Sequence, residues 1–329
     1  MRHRVETYGA PVVAGLLALL FLIGLIAPAI KSPAPHDITI GVVNAPSQMV
    51  SGLTASGAFD VTSYDSEDAA RSAIDSRDID GALVIGSSGP KLIVAGAAGD
   101  GVTGVITGVF TQMFAQQGQQ LPVETVHPFS SGDPHGLILF FVILAILIGT
   151  LISQALVGLR KGIGLPTKVS IVALFAIVAG PAAMGMATWI AGDYGSGIWM
   201  AMALLALGSA AVGAVVAGAA AVLGRPGIAL SALIVVLLDL VCSGGPIGSQ
   251  LLPDAYRWLA PGMPAGQLYS AVRGALFFDN AGIATPFGVL SLWLLGGLIL
   301  MVVGQLVSRR SPAREGTVSG EGAVLGADR

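Results

Sequence analysis

The chain has 329 residues, of which 54% are hydrophobic and only 11% charged, and its mean hydropathy is +0.81. Soluble domains carry about 25% charge, so an ordinary soluble protein is excluded. The net charge of −3, with no basic belt anywhere, excludes nucleic acid as a partner.

Residues 11–30 are an apolar run long enough to cross the ~30 Å hydrocarbon core of a bilayer. Arg2 and Arg4 precede it. Ala27-Pro28-Ala29 loosely resembles a signal-peptide cleavage site. The run is longer than the usual stretch of about 7–15 apolar residues, however, and a proline occupies the middle of that site, so an uncleaved anchor is expected.

Residues 31–135 change character, with eleven acidic and four basic side chains. Ile38–Asn44 (ITIGVVN) reads as a strand, and Phe59–Tyr64 as a second. Asp65 is placed to cap a helix over Ser66–Asp78. Gly81–Gly86 and Lys91–Ala95 read as further strands. Apolar residues from Val102 to Phe114 recur every three or four positions, which predicts an amphipathic helix. Leu121–Val126 completes the set as a last strand. Strand–helix alternation of this kind predicts a small α/β domain.

The remainder is almost wholly apolar. Spans are predicted at 137–158, 169–190, 198–223, 227–243 and 286–307, which with the first makes six. The expected fold class is an α-helical polytopic membrane protein with an α/β extracytoplasmic domain inserted between helices 1 and 2. Its parts are the N-terminus and first span (1–30), the α/β domain (31–135) and a bundle (136–308) that includes a Pro-rich external segment (244–285). A Gly-, Ser- and charge-rich tail (309–329) is read as disordered. Ala210, Ala214 and Gly218 form a small-residue stripe, suited to close helix packing within the chain or across a dimer.

The short connections set the orientation. Arg160, Lys161 and Lys168 lie between the second and third spans, Arg225 between the fourth and fifth, and Arg309, Arg310 and Arg314 after the sixth. The 191–197 loop carries no base. The positive-inside rule then puts both termini in the cytoplasm of a cell-membrane protein and residues 31–135 outside.

Few residues are candidates for chemistry. Asp239 is the one ionisable residue inside a predicted span. A carboxylate there is costly unless paired, protonated or wet. It reads either as a substrate or proton site, or as a structural group bonded to backbone or to an arginine such as Arg257 or Arg273. Those two arginines flank Pro261–Pro264. They suit an anionic headgroup, because guanidinium forks match phosphate. They also suit an interfacial belt with Tyr256, Trp258 and Tyr269. His127, Asp133 and His135 cluster before the second span, but their spacing matches no zinc pattern, and no metal or cofactor is expected. The four lysines never follow a glycine, so the chain has no Walker A phosphate loop. His-Glu-x-x-His and Gly-x-Ser-x-Gly are both absent, and no enzyme is expected.

The order of these features resembles the type-2 ABC transporter permease family, most closely its phage infection protein-like branch. The resemblance is carried by the basic N-terminus, one span, a domain opening with ITIGVVN, a helix leading into Asp80–Gly86 (DGALVIG), and five clustered spans. Gly245-Pro246, Leu252-Pro253, Pro261, Pro264 and Arg273 are similar to that family's external segment, which often forms short re-entrant helices. The Ser87-Ser88-Gly89-Pro90 turn departs from the family pattern of a proline and an aromatic amphipathic stretch. The resemblance implies a homodimeric exporter subunit for amphipathic, lipid-like or drug-like substrates, working with a separate ATP-binding subunit. Arg160, Lys161 and Lys168 are the expected coupling surface, although such bases also serve topology or contact anionic membrane lipids. The competing reading is a non-transporting envelope scaffold that binds partners through its external domain.

The charge pattern makes a direct prediction about sidedness. Single cysteines placed in 45–125 should react with a membrane-impermeant maleimide on intact cells, and cysteines in 159–168 should not. External labelling of 159–168 would reverse the orientation.

Overall fold

A computed structural model describes residues 34–160 and 162–310, together with residues 13, 16, 17, 19–21, 23–29 and 31. The first predicted span lies partly outside the described residues; those of it that are described, including 19–21 and 23–29, are helical. Lys161, Arg314 and nearly all of the tail also fall outside.

The sheet domain has five strands: β1 (Ile38–Val43), β2 (Phe59–Tyr64), β3 (Gly81–Gly86), β4 (Gly89–Ala95) and β5 (Val123–Val126). Their order is β2-β1-β3-β4-β5. β1 is parallel to both β2 and β3, and β4 is parallel to β5. β3 and β4 form the one antiparallel pair, closed by a two-residue turn at Ser87-Ser88 with Gly89 at φ +112°. Side chains alternate across a strand, so each face gets its own core. Ile38, Ile40, Val42, Leu83, Leu92 and Val94 point to one face, where α1 (Ser47–Ala55) and α3 (Asp100–Ala115) cover them. Val43, Ala82, Val84, Ile93 and Ala95 point to the other, against α2 (Glu67–Asp75).

The amphipathic reading of α3 corresponds to its buried residues Val102, Ile106, Phe110 and Phe114. α1 had no counterpart among the sequence expectations. Only Leu53 of its nine residues is buried, too little to make a stripe. The cap of α2 is Ser66 rather than Asp65. Ser66 has extended backbone, and its Oγ accepts from the Ala69 amide at 3.2 Å, the geometry of a helix N-cap. α2 also ends at Asp75, three residues short of expectation, because Arg77 takes a left-handed conformation at φ +65°.

Among the described residues, five helices are long and apolar enough to span a membrane: α4 (Leu137–Gly158), α5 (Leu165–Ala191), α6 (Ile198–Leu223), α7 (Arg225–Cys242) and α10 (Ala284–Arg310). The chain is therefore a membrane-embedded, mostly helical protein with a small α/β sheet region. α6 is the central helix, buried along most of its length by α4, α5 and α10. Its small-residue stripe serves this packing inside the chain: a Cβ on Gly218 would lie 2.7 Å from the carbonyl oxygen of Gly297 in α10.

Two shorter helices, α8 (Asp254–Leu259) and α9 (Pro264–Phe277), occupy the segment between α7 and α10. α9 is buried against α6, so this segment dips into the bundle and returns. It also supplies residues to both faces of the sheet domain. Leu251 joins the core on the α3 side, and Phe278 joins the core on the α2 side. The two parts thus share their hydrophobic cores.

Neighbouring glycines in α10 test the α6–α10 seam. A Cβ on Gly297 would lie 2.5 Å from the backbone of Ala214, whereas one on Gly296 meets nothing within 4 Å. Gly297→Ala should lower stability in detergent by about 1–3 kcal/mol through overpacking. Gly296→Ala should be neutral or stabilising by up to ~1 kcal/mol, from helix propensity. Equal thermal unfolding midpoints for the two variants would refute this seam.

Candidate functional site

The site begins at the joint between α7 and α9. The middle of α7, Ala232–Leu238, is π-helical, and the helix regains α geometry at Asp239–Cys242. π-Helical turns are rare and frequent at functional sites. Asp239 is fully buried. Its Oδ2 accepts from the Ala265 amide at 2.7 Å, one of the orphan donors at the N-terminus of α9. Its Oδ1 has no hydrogen-bond partner among the described residues. Of the expected partners, the backbone holds Asp239 and neither arginine does.

Immediately beyond this joint, Cys242 and Ser243 form part of the wall of a polar cavity of about 290 Å³. The sheet domain supplies Thr39, Arg77 and Asp80 to it, and α9 supplies Gln267, Ser270 and Arg273. Arg77 is held against α9: its Nη1 donates to the carbonyls of Ser270 at 3.1 Å and Ala281 at 3.3 Å, and its Nη2 donates to Ser270 Oγ at 3.1 Å. Its guanidinium lies 5.1 Å from the centre of the Phe278 ring. Burial, reinforced by the neighbouring charge of Arg273, lowers its pKa to about 10.

Arg273 reaches the opposite way. Its Nη1 donates to the carbonyls of Ala97, at 3.1 Å, and Ala98 in the sheet domain. The guanidinium also covers the Tyr269 ring at 4.7 Å. Its Nε is buried and has no partner among the described residues. Asp80 accepts from Thr39 Oγ1 at 3.0 Å. Asp80 is half-buried at the cavity wall, and this burial raises its pKa against the opposing pull of Thr39, Arg273 and Arg77.

The residues singled out from sequence separate in space. Arg273 lines the cavity and Asp239 lies just beneath it. Arg257 is elsewhere, pairing with Asp254 at 3.2 Å and with Asp37, which ties α8 to the start of β1. The expected aromatic belt needs correction. Trp258 is 82% exposed, but Tyr269 is only 3% exposed, because it packs beneath Arg273. Tyr256 donates to the Leu25 carbonyl at 2.7 Å. Trp189 and Trp199, at 81% and 77% exposure, are the ring systems that join Trp258 at the sheet-domain end of the bundle.

His127, Asp133 and His135 make three separate contacts. The ring nitrogens of His127 lie 2.8 Å from the Phe277 carbonyl and 2.7 Å from Asp75 Oδ1. Asp133 accepts from the amides of Ile138 and Leu139, both at 3.0 Å, and so caps α4. His135 meets Asp100 at 3.0 Å. No group of three metal-ligating side chains occurs among the described residues.

Arg160 follows α4, and Lys168 lies in the first turn of α5, which begins four residues before the predicted span, at the end of the bundle away from the sheet domain. Lys168 borders a second cavity of about 320 Å³ formed with Ala221, Met301 and Gln305. Lys161 lies outside the described residues.

Arg77 and Asp80 were missed from sequence. They sit in an ordinary-looking acidic segment, Asp75–Asp80, and only their position just before the buried strand GALVIG hinted that they turn inward. Taken together, fold and site define a membrane-embedded protein whose sheet domain and bundle enclose a charged cavity. Compared with known proteins, the chain matches no protein-family model and no curated protein.

Asp239 can be tested by two substitutions. Asp239→Asn retains an acceptor for the Ala265 amide, whereas Asp239→Leu strands it. The leucine variant should be less stable than the asparagine variant by about 1–3 kcal/mol, read as thermal unfolding in detergent. Equal stability of the two would show that the amide contact contributes nothing.

Proposed function

We propose that this chain is the membrane-spanning permease subunit of an ABC-type exporter, moving an amphipathic, lipid-like or drug-like substrate outward with a separate ATP-binding subunit. One observation carries the reading. A span with a π-helical centre ends in a buried carboxylate, and that carboxylate holds the N-terminus of a helix that enters the bundle and returns. Irregular backbone and unpaired carboxylate oxygens at membrane depth are costly, and they recur where transporters line their substrate path. The absence of a Gly-Lys pair puts ATP hydrolysis on another polypeptide.

In this reading the sheet domain is outside, both termini are cytoplasmic and two copies form the working unit in the cell membrane. Arg160, Lys161 and Lys168 contact the ATPase. The sheet domain shares its cores with the α7–α10 connection, so movement of α9 is transmitted to it.

Reconstituted alone in vesicles, the protein should neither hydrolyse ATP nor show ATP-stimulated transport. Adding the ATPase that co-purifies in mild detergent should produce both, and Arg160→Glu with Lys161→Glu should weaken the coupling. ATP-driven export by the single chain would refute the proposal. Stable complexes formed through residues 31–135 with no ATPase in the preparation would favour an envelope scaffold.

A further inference from the structure

The cavity above Asp239 has a charge arrangement that packing alone does not explain. Arg77 and Arg273 approach it from opposite sides of the domain junction, one rooted in the sheet domain and the other in α9. Both guanidiniums lie along the same stretch of α9: Arg77 bonds Ser270, three residues before Arg273, and a Cβ on Gly274 would lie 2.7 Å from Arg77 Nη1. Each donates to backbone carbonyls or a hydroxyl, and among the described residues neither has a carboxylate within ion-pair distance. Like charges brought together away from water are costly unless a counter-charge joins them.

The acids bordering the cavity do not fully supply that counter-charge. Asp78 is exposed and accepts from Ser76 Oγ at 2.6 Å. Asp80 is engaged by Thr39 and is a single carboxylate in the field of both guanidiniums, so it offsets one positive charge and leaves the other. Arg273 Nε, buried and unpartnered, is a donor in want of an acceptor. Ser249 and Gln250 add a hydroxyl and an amide to the wall. At about 290 Å³ the cavity is at the small end of ligand sites, sized for a headgroup or a small ion.

We propose that this cavity binds a phosphate-class oxyanion between Arg77 and Arg273. Planar guanidinium forks match phosphate oxygens in geometry as well as charge. The anion completes the electrostatics of the junction and ties the sheet domain to α9. It is either free phosphate or the headgroup of an anionic lipid. The site belongs to the single chain, so failure of the exporter reading leaves it standing.

The test uses the full-length protein in an uncharged detergent, titrated calorimetrically with inorganic phosphate or with a short-chain phosphatidic acid. A phosphatidylcholine of the same chain length is the control. At least one of the two anions should bind saturably and the control should not. Arg273→Gln should abolish the binding. Asp80→Asn keeps an acceptor for Thr39 and removes a negative charge, so it should tighten binding by about tenfold, the weight of one charge in a partly desolvated site. Should Arg273→Gln fail to fold, the sign of the Asp80→Asn effect still decides, because a purely structural Asp80 alters stability and leaves affinity unchanged. Saturation by phosphate identifies a free anion, and saturation by phosphatidic acid alone identifies a headgroup. Absence of binding by both anions, or binding that ignores Asp80→Asn, overturns the proposal.

Discussion

The structure depends on the burial of α9. A helix of fourteen residues laid against α6 inside the bundle must satisfy its terminal backbone groups without help from bulk water. Its N-terminus opens with Pro264, which has no amide to satisfy, and the next amide, Ala265, goes to Asp239. A negative group at that end also suits the helix dipole. At the other end the Phe277 carbonyl meets His127 of the sheet domain. Membrane helix and sheet domain are each recruited to complete one end of the same short helix.

This arrangement explains why the junction is so polar. Arg77 and Arg273 cross between the two parts and end on backbone carbonyls of the opposite part. Such bonds substitute for water around groups that cannot lose their charge cheaply. The apolar side of the junction is equally shared, since Leu251 and Phe278 are core residues of the sheet domain. A displacement of α9 disturbs both the carboxylate below it and the sheet above it. That linkage gives the polar cavity its mechanical interest, because a ligand there touches both parts at once.

Much of the fold was legible in the sequence because membrane and sheet each impose a strong pattern. Apolar runs such as 137–158 and 198–223 match their helices at both ends, since a bilayer tolerates little else. The strands Phe59–Tyr64 and Gly81–Gly86 are equally clear, as runs bounded by turn residues. α1 was not legible, because a helix that buries one leucine leaves no periodic trace. The site was half legible. Asp239 and Arg273 stood out as charges in or beside apolar surroundings, whereas Arg77 and Asp80 lay among other charged residues and gave no sign of facing inward.

The sequence by itself determined that this chain lives in a membrane, how its apolar runs divide it, and that its one sizeable polar segment folds as alternating strands and helices. These follow from composition and periodicity, which act locally along the chain. Only the tertiary structure decided that Asp239 is held by the amide of Ala265, twenty-six residues further on, and that Arg77 and Arg273 share one stretch of α9 although nearly two hundred residues separate them. Partners of that kind are set by how the elements dock. Docking is governed by complementary shape and by the need to satisfy buried charge, and neither leaves a mark at a fixed spacing in the chain.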